Sequence, residues 1–492
     1  MVHSRHEESK KHPGVLLNLG AHERDQCIRR FSFGDEGEMD ITLKEILRRA
    51  LPLGLANMSV VLMPLLDSVM LGRHDVYSMA SGGLAMQIYL VLFVLGEGIV
   101  FGFGPIYGKY LQACDEQKMS TSKLAIYVLL LAFGAFALLT LLRGPEILLS
   151  FQQSPHLVDE GRGYLICLGL SILPNLLFIH YWEILAFHDK GKMVLGGAAI
   201  QLLADIFLNY VLIYGKWGAP ELGLLGAGIG TFIGSVIGAG MLCVFMSRYT
   251  PSPKIQLREL KKISSLAPYL LETLKNGLPI GLGIISTIAF LSASVILMGW
   301  FSDEALAAHL AILQINELIV VFILGFNEFC AIHISSNTSL VTGKALRTFL
   351  CKVTLTAGAF ISALLFAMHA LRTHIFQLFL GAPTEVIIPV YEHMENFFSL
   401  SIPFLLVNAF TLLITGVLRG CAVTRWPLAI NLIGLWLFGL LAQTVLIDAH
   451  PSTPLVIWIG MQIGFVTTAL GLLIFFIRFS STRAAHPASL LP

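Results

Sequence analysis

Two carboxylates and one amide stand inside long apolar segments of this chain. Asp67 lies in the first such segment, about 18 residues beyond Arg49, and Asp205 precedes Asn209 by four residues in the fifth. That spacing places Asp205 and Asn209 on one helix face. An ionisable group inside a membrane span costs about 2.5–3.5 kcal/mol on insertion scales, so such groups are functional candidates.

The chemistry of this trio is that of a cation switch. Two carboxylates in one low-dielectric pocket cannot both stay ionised cheaply, so they share a proton or hold a cation such as Na⁺. The sequence therefore predicts an ion-coupling site of Asp67, Asp205 and Asn209. Two structural alternatives stay open, because Asp67 could cap a short helix and Asp205 and Asn209 could form an interhelical hydrogen bond without a transport role.

Other polar side chains in the apolar segments are candidates for lining a substrate cavity. They are Glu97, Glu183, Tyr210, Gln314, Glu317, Glu328 and Asn408. Almost every Lys and Arg falls in a predicted loop, so no basic side chain is expected at mid-depth to pair with these acids. An acidic cavity favours organic cations. For Glu183 the alternative is a salt bridge in the nearby loop that holds Asp189 and Lys190.

The composition is that of a membrane protein. The 492 residues are 55% hydrophobic and only 13% charged, whereas a soluble protein has about 25% charged residues. The net charge of +1 argues against nucleic-acid binding. The seven cysteines form no C-x-x-C pair, which excludes a disulfide scaffold and a zinc site of usual spacing. No bound metal and no cofactor are expected beyond the coupling ion, H⁺ or Na⁺.

Twelve stretches are long and apolar enough to span a bilayer. They cover residues 47–71, 84–108, 124–142, 164–187, 193–214, 223–246, 269–299, 306–332, 349–371, 396–418, 426–447 and 454–477. Lys and Arg concentrate in the two tails and in every second loop, which predicts cytoplasmic termini and a multi-pass protein of the inner membrane. Pro52 and Pro64 are candidate bending points of the first span.

An internal repeat with a period near 228 residues divides the chain into halves. Leu51–Leu55 recurs as Leu278–Leu282, Gln87 aligns with Gln314, and Pro174 aligns with Pro403. Two halves that both start on the same side are parallel repeats. The predicted organisation is an all-α protein with an N-tail (1–45), a six-helix lobe (46–246), a linker (247–268), a second six-helix lobe (269–478) and a C-tail (479–492).

The sequence also resembles a known family. Pro52 and the run Leu66–Gly72, which contains Asp67, are similar to the first helix of the multidrug and toxic compound extrusion (MATE) family, in its bacterial NorM and DinF type. Leu208–Gly223, with Gly226, Gly228 and Thr231 after it, resembles the fifth loop and sixth helix of that family. Gly416–Gly420 resembles the end of its tenth helix. The likeness covers roughly residues 45–478.

The resemblance implies a V-shaped pair of lobes that export cationic drugs or metabolites in exchange for protons or sodium. It implies a coupling role for Asp67 and for a polar pair on helix five, whose order in some members is reversed relative to Asp205 and Asn209. Two positions at which many members carry acids hold Thr287 and Asn408, so coupling is expected in the N-terminal lobe.

A secondary transporter is the function that these observations favour, since no ATP-binding loop of the G-x-x-x-x-G-K-[ST] type occurs. The expected partners are a small cationic substrate and the lipid bilayer, with the protein a monomer that binds no nucleic acid. The main alternative is a flippase of lipid-linked oligosaccharides or lipids from the same superfamily. An intramembrane enzyme and a channel are disfavoured, because neither clustered catalytic groups nor a repeated polar ring is present.

Overall fold

The computed structural model describes residues 41–150, 155–250, 263–337, 343–380 and 388–485. Within them, twelve helices are long and apolar enough to cross a membrane. They are α1 (Leu43–His74), α2 (Val76–Gln112), α3 (Glu116–Leu142), α4 (Pro155–Phe187), α5 (Gly191–Ile213), α6 (Gly223–Tyr249), α7 (Ile263–Met298), α8 (Asp303–Ser335), α9 (Gly343–Ala370), α10 (Ile388–Gly420), α11 (Arg425–Ala449) and α12 (Leu455–Ala485). Two short helices, Gly144–Ser150 and Arg372–Leu380, lie between spans.

Short polar side chains fix where several helices begin. Thr42 accepts a hydrogen bond from the backbone N–H of Glu45 at the start of α1, and Ser302 accepts one from Ala305 at the start of α8. Asp75 and Asp115 cap α2 and α3 in the same way. Each cap satisfies an N–H group that has no partner within the helix, which is why the helices extend past the apolar stretches that the sequence marks.

The twelve predicted spans are confirmed. The predicted tails and linker fall largely on residues 1–40, 251–262 and 486–492, which lie outside the described residues. α12 continues to Ala485, past the predicted start of the C-tail.

The helices form two lobes, each with its own hydrophobic core. One core is built almost entirely from α1–α6, with Tyr107 and Tyr164 among its fully buried side chains. The other is built almost entirely from α7–α12 around Trp458 and Phe397. Two six-helix lobes in parallel repeat are thus confirmed.

Among the described residues, the close glycine contacts between the lobes lie toward one end of the molecule, as in the predicted V shape. We call this end the basic face: it is the end at which α1 begins and near which Arg48, Arg49 and Lys190 lie. Toward it α1 meets α8 at Gly54, where an added Cβ would lie 3.1 Å from the Phe322 Cα.

Glycine pairs let the two lobes approach to backbone contact. A Cβ on Gly102 of α2 would lie 2.6 Å from the Thr273 carbonyl oxygen of α7, and one on Gly98 would collide with the backbone of Gly281. Small residues at such crossings permit dense packing between helices in a membrane. The lobes are therefore closed against each other toward the basic face.

α1 is continuous through both of its prolines. Pro52 and Pro64 have no N–H to donate to the carbonyls of Arg48 and Val60, one turn earlier. Pro64 lies between the contact with α8 at Gly54 and the carboxylate of Asp67. Bending at either proline stays a prediction.

Replacing Gly98 by Val should wedge the lobes apart at the basic face. Overpacking costs about 1–3 kcal/mol, so the population closed at this face should fall by about tenfold. We expect a corresponding loss of substrate transport in membrane vesicles, while the yield and elution volume of the purified protein stay unchanged.

Gly83→Val is the matched control on the same helix, since an added Cβ there meets nothing within 4 Å. Normal transport by Gly98→Val would show that this glycine contact does not limit the transport cycle.

Candidate functional site

The structure brings Asp67, Asp205 and Asn209 together inside the N-terminal lobe. The Asn209 Nδ2 atom donates to Asp67 Oδ1 at 2.6 Å and to Asp205 Oδ2 at 3.2 Å. Thr231 of α6 donates its hydroxyl to Asp67 Oδ2 at 3.4 Å. All four side chains are buried, and Asp205 and Asn209 are fully enclosed. One amide thus bridges two carboxylates that come from different helices.

A ladder of glycines on α6 makes room for this cluster. Gly230 lies against the Asn209 Oδ1 atom, and a Cβ on Gly234 would lie 3.3 Å from the Asp205 Cβ. One turn further, a Cβ on Gly238 would lie 2.6 Å from the Gln201 Oε1 atom. The small residues therefore do more than pack two helices. They define the wall of the polar site.

The site has more acceptors than donors. Asp205 Oδ1 and Asn209 Oδ1 are buried and have no hydrogen-bond partner among the described residues. An unsatisfied buried acceptor costs about 1–3 kcal/mol, and two adjacent buried carboxylates strongly disfavour a second negative charge. One added proton relieves both costs, since it removes a charge and supplies a donor.

A chain of polar side chains continues from this site toward α4 and α2. Gln201 lies one turn before Asp205 on α5 and donates to Asn175 Oδ1 at 3.0 Å. Asn175 in turn donates to the Tyr89 hydroxyl at 3.0 Å. These neutral groups link three helices of the N-terminal lobe to the carboxylates.

His188 has a titratable ring outside the spans, in the loop after α4. Burial, with the nearby positive charges of Lys123 and Lys190, lowers the pKa of His188 to about 4. Its Nε2 atom lies 3.1 Å from the Tyr107 hydroxyl. Because the ring stays neutral near pH 7, His188 does not compete with the carboxylates as a proton site.

The corresponding region of the C-terminal lobe is polar but uncharged. Asn431 donates to the Thr287 hydroxyl at 3.2 Å and accepts from Ser286 at 3.1 Å. Trp436 donates to Ser286 at 3.0 Å. Asn408 is half-buried on α10. Neither Thr287 nor Asn408 supplies a charge that a cation would need.

Three of the cavity candidates, Gln314, Glu317 and Tyr210, lie away from the N-lobe site. Gln314 and Glu317 are exposed on α8. Glu317 precedes Glu328 by three helical turns and so shares its face. Tyr210 packs instead with Tyr214 and the exposed Trp217, at ring distances of 5.8 and 6.4 Å. Their roles stay predictions.

Glu97, Glu183 and Glu328 meet near the closed end of the V, together with a basic side chain. Arg419 of α10 is buried and interacts electrostatically with all three carboxylates. Arg419 is therefore a basic side chain close to acids for which no basic partner at mid-depth is expected. The near-terminal position of Arg419 on its helix made it look like a loop residue. Glu183 itself lies against Gly104.

The sequence reasoning missed three residues of the polar sites. Gln201 continues the four-residue spacing of Asp205 and Asn209, so helical periodicity could have found it. Thr231 and Arg419 lie in segments that the sequence analysis used only for the resemblance to the MATE family. The packing of α6 on α5 places Thr231 at the N-lobe site. The packing of one lobe on the other places Arg419 near the three glutamates.

A family model decides the assignment of the chain. The MatE model matches residues 52–211 and again residues 279–445, one match in each lobe. The chain belongs to the MatE family. This transporter family accounts for the duplication and for the twelve spans, and the protein is a membrane transporter rather than an enzyme.

Relatives and solved structures agree with this membership. The chain is 26% identical over 442 residues to a probable multidrug resistance protein NorM of Bradyrhizobium diazoefficiens, covering 89% of this chain and 94% of that one. It is 27% identical to a protein of that name from Oceanobacillus iheyensis, covering 86% and 94%.

Two solved structures share the fold of this MatE protein. A crystal structure of MATE in complex with MaL6 has a TM-score of 0.80 at 19% identity, covering 90% of this chain and 98% of that one. The outward-facing conformation of a multidrug resistance MATE family transporter of the MOP superfamily has a TM-score of 0.79 at 18% identity, with the same coverage.

Replacing Gly230 by Ala should disrupt the N-lobe site without changing any charge. The added methyl group meets Asn209 Oδ1 and displaces the amide from the carboxylates. Hydrogen bonds to charged groups are worth about 1.5–3 kcal/mol, so ion-driven transport by this MatE protein should fall by about tenfold or more in vesicle assays.

Gly240→Ala on the same helix is the control, because its added Cβ meets nothing within 4 Å. Equal activity of the two variants would mean that the placement of Asn209 does not matter for transport.

Proposed function

We propose that this protein exports organic cations and drugs by exchanging them for protons, with proton coupling at Asp67, Asp205 and Asn209. The observation that carries the proposal is the single buried amide that bridges two carboxylates. The curated relatives are named as probable multidrug resistance proteins, which supports drugs as the substrate class.

A proton fits this site better than a sodium ion. The Asn209 Nδ2 atom, a hydrogen-bond donor, occupies the position from which a cation would contact both carboxylates. Its partial positive charge repels Na⁺ there. A proton needs no such space, and it can supply the donor that Asp205 Oδ1 lacks.

Protonation of the N-lobe site affects the lobe interface through α1, which belongs to both. This helix carries Asp67 near its far end and contacts α8 at Gly54. Neutralising a carboxylate weakens its hold on Asn209 and Thr231, which frees the end of α1 to bend at Pro64. Antiport requires that proton and substrate favour different conformations, and a helix shared by the ion site and the closed interface meets that need.

We place the basic face in the cytoplasm. The end of the molecule that carries Arg48, Arg49 and Lys190 has the excess of positive charge that the positive-inside rule assigns to that side. The open end of the V then faces outward in the conformation described, and both termini are cytoplasmic.

Uptake of ethidium into inside-out vesicles tests the proposal. We expect an imposed proton gradient, acidic inside, to drive uptake by the wild-type protein, and a sodium gradient alone to fail. Asp67→Asn should abolish the gradient-driven component, because the amide cannot bind the exchanged proton and the remaining carboxylate, Asp205, no longer faces a second negative charge that favours protonation.

Asp448→Asn is the matched control, since this acid is exposed at the end of α11. Sodium-driven uptake would overturn proton coupling, and normal transport by Asp67→Asn would overturn the site. If correctly folded wild-type protein moves no cation under either gradient, cation export is wrong and a lipid flippase assay becomes the next test.

A further inference from the structure

An aromatic ring and a guanidinium group meet across the lobe boundary near the closed end of the V. The Arg419 Cζ atom of α10 lies 4.5 Å from the centroid of the Phe101 ring of α2. Both side chains are buried, and Arg419 is only 9% exposed. The guanidinium thus sits on an aromatic face that belongs to the other lobe, in the geometry of a cation–π contact.

Carboxylates flank this aromatic face on the N-terminal lobe. Glu97 lies one turn before Phe101 and therefore on the same face of α2. The Glu183 Oε1 atom lies 2.9 Å from the Cβ position of Gly104, one turn after Phe101. An aromatic face between two acids is the kind of surface that binds organic cations.

The cluster is charged but incompletely paired. Arg419 interacts electrostatically with Glu97, Glu183 and Glu328, but it forms no close ion pair with any carboxylate of the described residues. Glu183 and Glu328 are only 5% and 7% exposed. Each keeps a buried Oε2 atom without a hydrogen-bond partner in the described part of the chain. These oxygens could accept bonds from a cation that carries N–H donors.

We propose that Glu97, Phe101 and Glu183 form a subsite for an organic cation, which Arg419 occupies in this conformation and leaves when the lobes separate at the basic face. This inference rests on the proposed function of cation export. The three subsite residues lie on the N-terminal lobe and Arg419 lies on the other, so separation of the lobes uncovers the ring and both acids together.

Arg419 therefore acts as a tethered competitor of the substrate. When the basic face is open, the subsite is negatively charged and takes a cation from that side. When the lobes close, Arg419 returns to the Phe101 ring and displaces the cation toward the opposite face. In the closed state the positive charge of Arg419 also offsets part of the repulsion among the buried carboxylates.

The test measures concentration-dependent uptake of tetraphenylphosphonium into inside-out vesicles driven by a proton gradient. This aromatic cation has no proton to lose, so pH leaves its charge unchanged. A cation–π contact is worth about 0.5–2 kcal/mol, so Phe101→Leu should raise KM by about tenfold, and Phe101→Tyr should keep KM within about twofold. Phe93→Leu is the control, since that ring is on the same helix and stacks on Tyr89.

The variant Arg419→Gln distinguishes a competitor of the substrate from a residue with a structural role. Loss of the competitor should lower KM severalfold, and loss of charge neutralisation in the closed state should lower the maximal rate. A merely structural role for Arg419 would lower the rate without improving KM. Glu183→Gln, which leaves the competitor in place, should instead raise KM.

The outcomes separate this inference from the proposed function. Unchanged KM in Phe101→Leu, or an unchanged or raised KM in Arg419→Gln, overturns the subsite while cation export stands. Absence of uptake by folded wild-type protein overturns both. Elution volume in size-exclusion chromatography establishes folding for every variant.

Discussion

The cost of burying charge inside a membrane protein governs the arrangement of this molecule. An ion removed from water loses several kcal/mol of solvation even after the protein relaxes around it, so a buried charge needs hydrogen-bond partners within the protein. Asp67 and Asp205 are nearly or fully buried, so the amide that they share offsets part of the cost of burying them. Two acceptors of the site still lack donors, which is the feature on which the proposal of proton binding rests.

Glycine is the second constraint, and it operates at the N-lobe polar site and at the crossing of the two lobes. Along α6 the absence of Cβ atoms lets Asp205 and Asn209 reach the helix surface, and between α2 and α7 it lets the lobes close to backbone contact. Side chains at these crossings would hold the helices apart. The same residue type therefore sets the width of the ion site and the tightness of the closed end.

Much of the architecture follows from the sequence because membrane burial imposes simple patterns. Twelve apolar stretches, the duplication and the pairing of Asp205 with Asn209 follow from length, offset and helical spacing. The position of Arg419 does not follow from the sequence, because a basic residue near a helix end has the same sequence pattern as one that lies in a loop. Its position over Phe101 depends on how two lobes pack, and no local pattern encodes that.

The two charged clusters differ in how they respond to motion between the lobes. Asp67, Asp205 and Asn209 all belong to one lobe, so rigid rocking leaves their contacts intact and only bending of α1 changes them. Arg419 and Phe101 belong to different lobes, so any opening at the basic face breaks their contact. On the proposed mechanism the first cluster therefore senses the ion, and the second senses the conformation. α1 connects them physically, because it carries Asp67 within the ion site and Gly54 at the lobe contact. A carboxylate placed directly in the lobe interface would combine both roles, but it would also lose its hydrogen bonds on every opening. Separation of the two roles leaves the hydrogen bonds from Asn209 to the two carboxylates intact while the lobes rock as rigid bodies.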